Sequence, residues 1–302
     1  MLILNEKKYA KDIYEAKDDS VKSVVAKVGY VTRYHLYEFG YDDKDNYGKT
    51  VEWMYVHHAN FDESCYSKLI ADAIKKAHKR PFFELEKIVI TKSELEIISS
   101  LENLRAEKIL FVLLCMAKQQ RAIYGFTNGL VRYSLPDLCK MARISVPTGE
   151  REYILYEIIQ RGYLSYPKKN DTSCLLVNFI DNVNEGVMLT IDSMDCNELA
   201  YVYLNWKNNG AGYGRCELCG KLMRQSKKDP NRFCRECSEV VGNVPDGMKV
   251  IRCADCGQIV YVSVLNSKTC RCEHCQDMAD KQLSRDRQRR WYESHEKPNA
   301  SL

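Results

Sequence analysis

Hydrophobic positions change period several times along the first 90 residues. Residues 5–16 repeat at helical spacing, 22–39 and 51–58 alternate apolar and polar side chains with many Tyr and Val, and 67–79 form an amphipathic stretch closed by Pro81. Period two predicts strands and period 3.6 predicts helices, so residues 1–90 are expected to form a small α+β unit. The run Asp42-Asp43-Lys44-Asp45-Asn46 is expected to be a solvated turn. His57 and His58 are adjacent. On a strand they would point to opposite faces, which does not suit a shared metal, and an enzyme housed in this segment is the weakest of the functional alternatives.

Residues 91–185 carry a longer pattern. Thr91-Lys-Ser-Glu94 has the form of a capping box, and 102–120 place Leu104, Ile109, Val112, Leu113 and Met116 on one apolar helical face. Ser134 and Pro136 open a short helix over 135–143, and residues 144–147 turn into another over 148–161, stopped by Gly162. Two strands, 163–166 and 174–179, are joined by a polar tip at 167–172. Helix, helix, turn, helix, hairpin predicts a winged helix-turn-helix domain, in which the third helix enters a DNA groove and the wing meets phosphate. Arg151 on that helix and Lys168 and Lys169 on the tip are the candidate DNA contacts. Glu150, Glu152 and Glu157 on the same helix oppose phosphate, which leaves a protein-contact use of the domain open. Residues 186–212 are expected to be a strand/helix connector.

The strongest chemistry follows at 213–276. Eight of the fourteen cysteines form four Cys-x-x-Cys pairs, Cys216/Cys219, Cys234/Cys237, Cys253/Cys256 and Cys272/Cys275, separated by 14, 15 and 15 residues. The first two pairs recur as the last two, each time with a glycine (Gly220, Gly257) after the second cysteine of the leading pair. Each pair can close two corners of a tetrahedral thiolate site, so the repeat predicts two Zn²⁺ ions in tandem ribbons, each a hairpin between two knuckles. The repeat phase favours sequential sites, although the near-equal gaps also fit an interleaved order. Cys270 and His274 are possible substitutes for a ligand of the last pair. A disulfide framework is disfavoured: no signal peptide precedes the chain and six other cysteines are scattered through it, so a cytoplasmic location is expected.

Charge changes the picture only locally. The formal charge of +4 falls to about zero once eight thiolates hold two dications. The positive surplus lies at the end, where 277–302 are expected to form a basic helical tail with Lys281, Arg285, Arg287, Arg289 and Arg290 ahead of Trp291 and Tyr292, a mixture suited to phosphate and base stacking. The longest apolar run, 109–117, is half the length of a membrane span.

The run Glu107-Lys-Ile-Leu-Phe-Val-Leu-Leu-Cys-Met-Ala-Lys118, the segment 155–164, and the motifs Gly212-Tyr-Gly-Arg-Cys-Glu-Leu-Cys-Gly-Lys221 and Asn231-Arg-Phe-Cys-Arg-Glu-Cys237 resemble an uncharacterised family encoded on phages and integrative elements of Gram-positive bacteria. The resemblance covers roughly residues 90–276 and implies association with DNA, with no catalytic residues to transfer. The sequence is thus expected to encode a zinc-dependent, non-catalytic protein that binds double-stranded DNA, a regulator or replication accessory. The main alternative is an adaptor that grips a host polymerase or replication factor.

Overall fold

The computed structural model describes residues 2–15, 23–125, 128–167, 173–181, 186–226, 232–265 and 269–295, with side chains as far as Trp291. It is a mixed α and β protein that divides into two compact units, Met1–Lys207 and Asn208–Leu302. Among the described residues no helix is long and apolar enough to cross a membrane.

The first unit begins with four helices, the first and fourth where helices are expected and the second and third where alternating strands are expected. They are α1 (Glu6–Tyr14), α2 (Val24–Tyr34) with a π-helical turn at His35–Phe39, α3 (Asp43–His57) and α4 (Glu63–Ala77). The side chains of Asn5, Ser23, Asp42 and Asp62 each accept an amide hydrogen bond at a helix start. Asp42 to Asn46 is therefore the capped first turn of α3, not a loop. Burial explains the change of period: Val28 and Val31 of α2, Val51 and Met54 of α3, and Ile70 and Ile74 of α4 recur at three- or four-residue spacing around one core with Ile13 and Trp53. Tyr and Val favour strands only weakly when packing decides otherwise. His57 lies over Trp53, and His58 shares a hydrogen bond of 3.1 Å with the Tyr66 hydroxyl. Beneath this bundle the Arg33 guanidinium makes two 2.7 Å bonds to the buried Glu6 carboxylate and donates to the carbonyls of Arg80 and Pro81.

The second half of the unit is built on one buried helix. After β1 (Ile88–Thr91) and α5 (Lys92–Ser99), which starts with the expected Thr91/Glu94 capping box, α6 (Leu104–Tyr124) buries every side chain from Ile109 to Cys115. A helix apolar on all sides must be covered on all sides. The cover is α5, β1, β2 (Leu130–Arg132), α7 (Leu135–Met141), α8 (Thr148–Gln160), β4 (Cys174–Val177) and α9 (Leu199–Lys207), with β3 (Leu164–Ser165) paired to β4 and β5 (Val187–Ile191) paired to β1. Strands β2, β4 and β3 form an antiparallel sheet in that order, with Leu130 opposite Leu176 and Leu164 opposite Val177. Gly162 follows α8 with φ 77°, the left-handed stop expected there.

The expected boundaries at 90 and 186 do not divide the chain. Strand β5 pairs antiparallel with β1, Ile88 opposite Ile191, and α9 buries Leu199, Ala200, Val202 and Tyr203, so residues 186–207 complete the first unit. Charges cross the same interior. Lys118 of α6 bridges the fully buried Glu94 and the Val89 carbonyl at 2.7 Å each, and Glu107 accepts from Tyr203 and Lys207.

The second unit holds two hairpins and two helices: β6 (Tyr213–Arg215), β7 (Leu222–Arg224), α10 (Arg235–Gly242), β8 (Met248–Arg252), β9 (Ile259–Ser263) and α11 (Glu273–His295). Residues 227–231 and 266–268, polar segments between the cysteine pairs, fall outside the described residues.

Candidate metal centres and basic surface

Hairpin β6–β7 turns through Cys216 to Gly220, and β8–β9 through Cys253 to Gly257. The two glycines have φ 76° and 71°, and their amides fold back on the carbonyls of Cys216 and Cys253 at 2.8 and 2.9 Å. A side chain is strained in that left-handed region, which is why glycine closes each knuckle. The second pair of each set sits elsewhere than expected. Cys234 is the N-cap of α10 with Cys237 in the first turn; Cys272 immediately precedes α11, and the Cys275 amide in its first turn donates to the Cys272 sulfur at 3.5 Å. Each repeat is therefore a knuckle-bearing hairpin followed by a helix, not a hairpin between two knuckles. A Cys-x-x-Cys spacing puts two sulfurs on one side in a knuckle and in a helix start alike, so the sequence pattern does not separate them.

The cysteines gather sequentially. Cys216, Cys219, Cys234 and Cys237 form one set and Cys253, Cys256, Cys272 and Cys275 the other, each with all four sulfurs within 4.8 Å of one another. The Cys219–Cys234 and Cys256–Cys272 sulfurs are 3.7 Å apart. A tetrahedron with metal–sulfur bonds of about 2.3 Å has edges of about 3.8 Å, so the donor sets fit one metal ion each. Cys270 and His274 belong to neither set.

Protonation gives an independent reason for a cation. Burial opposes the Cys216 thiolate, but the N–H groups of Cys219, Cys234 and Leu218 outweigh it and bring the thiol down to about 7. The amides of Cys256, Cys272 and Asp255 bring Cys253 down to about 6. Their neighbours move oppositely: burial pushes Cys234 up to about 11, and contact with Cys272 pushes Cys275 up to about 12. Crowded thiols cannot all ionise by themselves, and a central dication removes the conflict. Four thiolates close the coordination shell, which is the arrangement of a structural site.

Packing leads to the same place. Among the described residues beyond 207, the buried side chains are Leu218, Leu222 and five members of the two cysteine sets. The sets also touch: Val250 packs against the first, Arg252 Nη1 donates to the Cys219 carbonyl at 2.9 Å, and the Tyr261 hydroxyl donates to the Val240 carbonyl at 3.3 Å.

The expected DNA contacts are scattered over the chain. Arg151 Nε is half-buried and donates to the Val146 carbonyl at 2.9 Å, tying the turn before α8. Lys168 and Lys169 lie outside the described residues. Of the three acids on α8, Glu150 is paired with Arg105 at 3.2 Å and Glu157 accepts from Asn103 at 3.0 Å, so both are drawn toward the start of α6. What α8 offers to solvent includes Tyr153 and Tyr156, 69% and 57% exposed. Sequence reasoning passed over them, although the buried Ile154, Leu155 and Ile158 mark the opposite face.

Arg285, Arg287, Arg289 and Arg290 are all exposed on α11. At about 100° per residue they divide into two faces. Lys281, Arg285 and Arg289 recur every four residues along one stripe, while Arg287 and Arg290 share the other side with Leu283 and Trp291. Arg289 is paired with Asp286. Compared with known protein families, curated proteins and solved structures, the chain finds no match.

Proposed function

We propose that this chain is a zinc-dependent protein that binds double-stranded DNA without catalysing a reaction on it, a regulator or replication accessory of a phage or other mobile element. The observation that carries the reading is the stripe of Lys281, Arg285 and Arg289 on an exposed helix that grows directly from a cysteine set. Eight residues of helix rise about 12 Å. One strand of a duplex presents a phosphate every 3.4 Å or so along its axis, so three cations over that length can track a single strand. All-thiolate tetrahedral donors select zinc among abundant divalent ions, and a closed shell gives it a structural role. The order α6, β2, α7, α8, β3, β4 is compatible with a winged helix, with α8 as the groove-entering helix and Lys168 and Lys169 on the wing. The mobile-element origin rests on the resemblance of residues 90–276.

Affinity for a random-sequence duplex, measured across salt concentrations, tests the reading. The full chain should show a steep fall of log affinity with log salt. Replacing Lys281, Arg285 and Arg289 together by Gln should make that slope shallower by about 2–3 units, and replacing Lys168 and Lys169 by about 2. A full chain with no salt-dependent affinity for duplex sinks the proposal. Tyr153 and Tyr156 favour a second reading, an adaptor for a host polymerase or replication factor, because exposed tyrosines on a rigid helix are common protein-contact anchors. On that reading duplex affinity is absent and Tyr153→Ala with Tyr156→Ala abolishes partner binding.

A further inference from the structure

We infer that the metal of the second cysteine set is the folding nucleus of α11, so that the basic helix exists only while Cys253, Cys256, Cys272 and Cys275 hold their ion. The consequence for nucleic acid rests on the function proposed above; the folding inference does not.

Three observations carry it. First, α11 has no buried face among its described side chains. None of its residues from Glu273 to Trp291 is buried, whereas α10 is held through the buried Cys237 and through Val241 against the first core. Helical stability in proteins comes mostly from a packed face, and a helix polar on all sides has to find its stability elsewhere. Second, its internal support is weak. Gln276 reaches Asp280 at 3.1 Å, Gln282 reaches Asp286 at 3.2 Å and Arg289 pairs with Asp286, all exposed contacts that are individually weak, while Lys281, Arg285 and Arg289 stand four apart, a like-charge spacing that disfavours a helix. Third, the start of α11 is the metal set itself. Cys272 stands where an N-cap residue stands, its sulfur accepting the Cys275 amide and its carbonyl accepting the Gln276 amide at 2.9 Å, and Cys275 lies in the first turn.

Starting a helix is improbable, with a weight on the order of 10⁻³, because the dihedrals of a whole turn are fixed before the hydrogen bonds compensate. An ion bound to Cys272 and Cys275 fixes that turn as part of its coordination, and the chain beyond needs only to propagate. The thiolate charge at the helix N-terminus favours the aligned peptide dipoles as well. Without the ion, the turn must be initiated by a segment with no buried face and a like-charge stripe along one side. Phosphate along the stripe would neutralise that repulsion, so nucleic acid and metal stabilise the same helix from two ends.

Amide hydrogen exchange on the full-length chain, read by peptide mass spectrometry, tests this directly. The zinc-loaded wild type should protect residues 277–291. Cys275→Ser should speed their exchange by at least about tenfold, while Cys237→Ser in the other set leaves them protected and α6 serves as the internal control for a folded first unit. Protection of 277–291 that survives Cys275→Ser overturns the inference, as does fast exchange in the zinc-loaded wild type or equal loss in both variants. If protection is lost as expected but duplex affinity does not change, the folding inference stands and the reading of α11 as a DNA surface fails.

Discussion

Replacing Cys219 by Ser removes one of four thiolates from the first set, and the structure says how far the damage should travel. The two sets are separate coordination shells, so purified protein should fall from two zinc ions per chain to one. The retained ion should nonetheless be held less tightly, because the two halves of the unit lean on each other. The hydrogen bond from Arg252 to the Cys219 carbonyl is worth about 1 kcal/mol at an exposed position, and the longer one from Tyr261 to the Val240 carbonyl about 0.5 kcal/mol. Half-burial of Val250 against the first core adds about 1 kcal/mol. Losing a coupling of roughly 2.5 kcal/mol weakens the second site about 60-fold, as read by titration against a chromophoric chelator. Coupling between sites is reciprocal, so Cys275→Ser should weaken the first site by the same factor. Joint loss of both ions at the first substitution, or a second site unchanged within threefold, would refute this account of the contact.

Two predictions concern the first unit. Glu6→Ala leaves the Arg33 guanidinium buried without its carboxylate and should cost about 3–5 kcal/mol in urea unfolding followed by Trp53 fluorescence; a loss under about 1 kcal/mol would mean that water reaches the pair. Burial holds the pKa of His35 below its usual value of 6.5, against the hydrogen bond its ring donates to Asn46 Oδ1, so the unfolded chain takes up this proton first as pH falls. The corresponding stability is complete above about pH 6.5 and is lost as pH drops through the folded value, so His35→Gln should flatten the stability profile between pH 7 and 5. Parallel profiles for the two proteins would show that another group titrates there.

The cysteine sets were legible because metal ligation is a local matter of residue type and spacing, and the repeat carried the sequential order that the structure displays. What the spacing could not say is that the second pair of each set opens a helix, since a knuckle and a helix start bring two sulfurs together equally well. Helices α5 to α8 and strands β3 and β4 were also legible, because caps such as Thr91 and stops such as Gly162 are written in single residues, whereas β2, three residues long, was not. The N-terminal bundle was not. Val28, Val31, Val51 and Met54 have helical spacing, but it is diluted by Tyr and by exposed apolar residues such as Val25, Tyr55 and Val56, and alternation could be read through them. Domain boundaries failed for a different reason. The pairing of β1 with β5 joins residues about a hundred positions apart, and short strands four or five residues long announce a partner without naming it.

The two units are held together by different physics. The first buries a complete helix, α6, and pairs its interior charges Glu6, Glu94 and Glu107 with basic side chains, so its stability belongs to the chain alone. Among its described residues the second buries two leucines beside its two cysteine sets, little apolar surface for a unit of its length. On the proposed zinc reading its folding free energy comes from the thiolate–metal bonds, about 10–16 kcal/mol for a structural zinc site near neutral pH. Chelation should therefore unfold residues 208–302 while the first unit keeps its exchange protection. The basic stripe lies wholly in the second unit, so on the proposed reading the supply of zinc, and not the stability of the larger unit, decides whether Lys281, Arg285 and Arg289 are arrayed on one face.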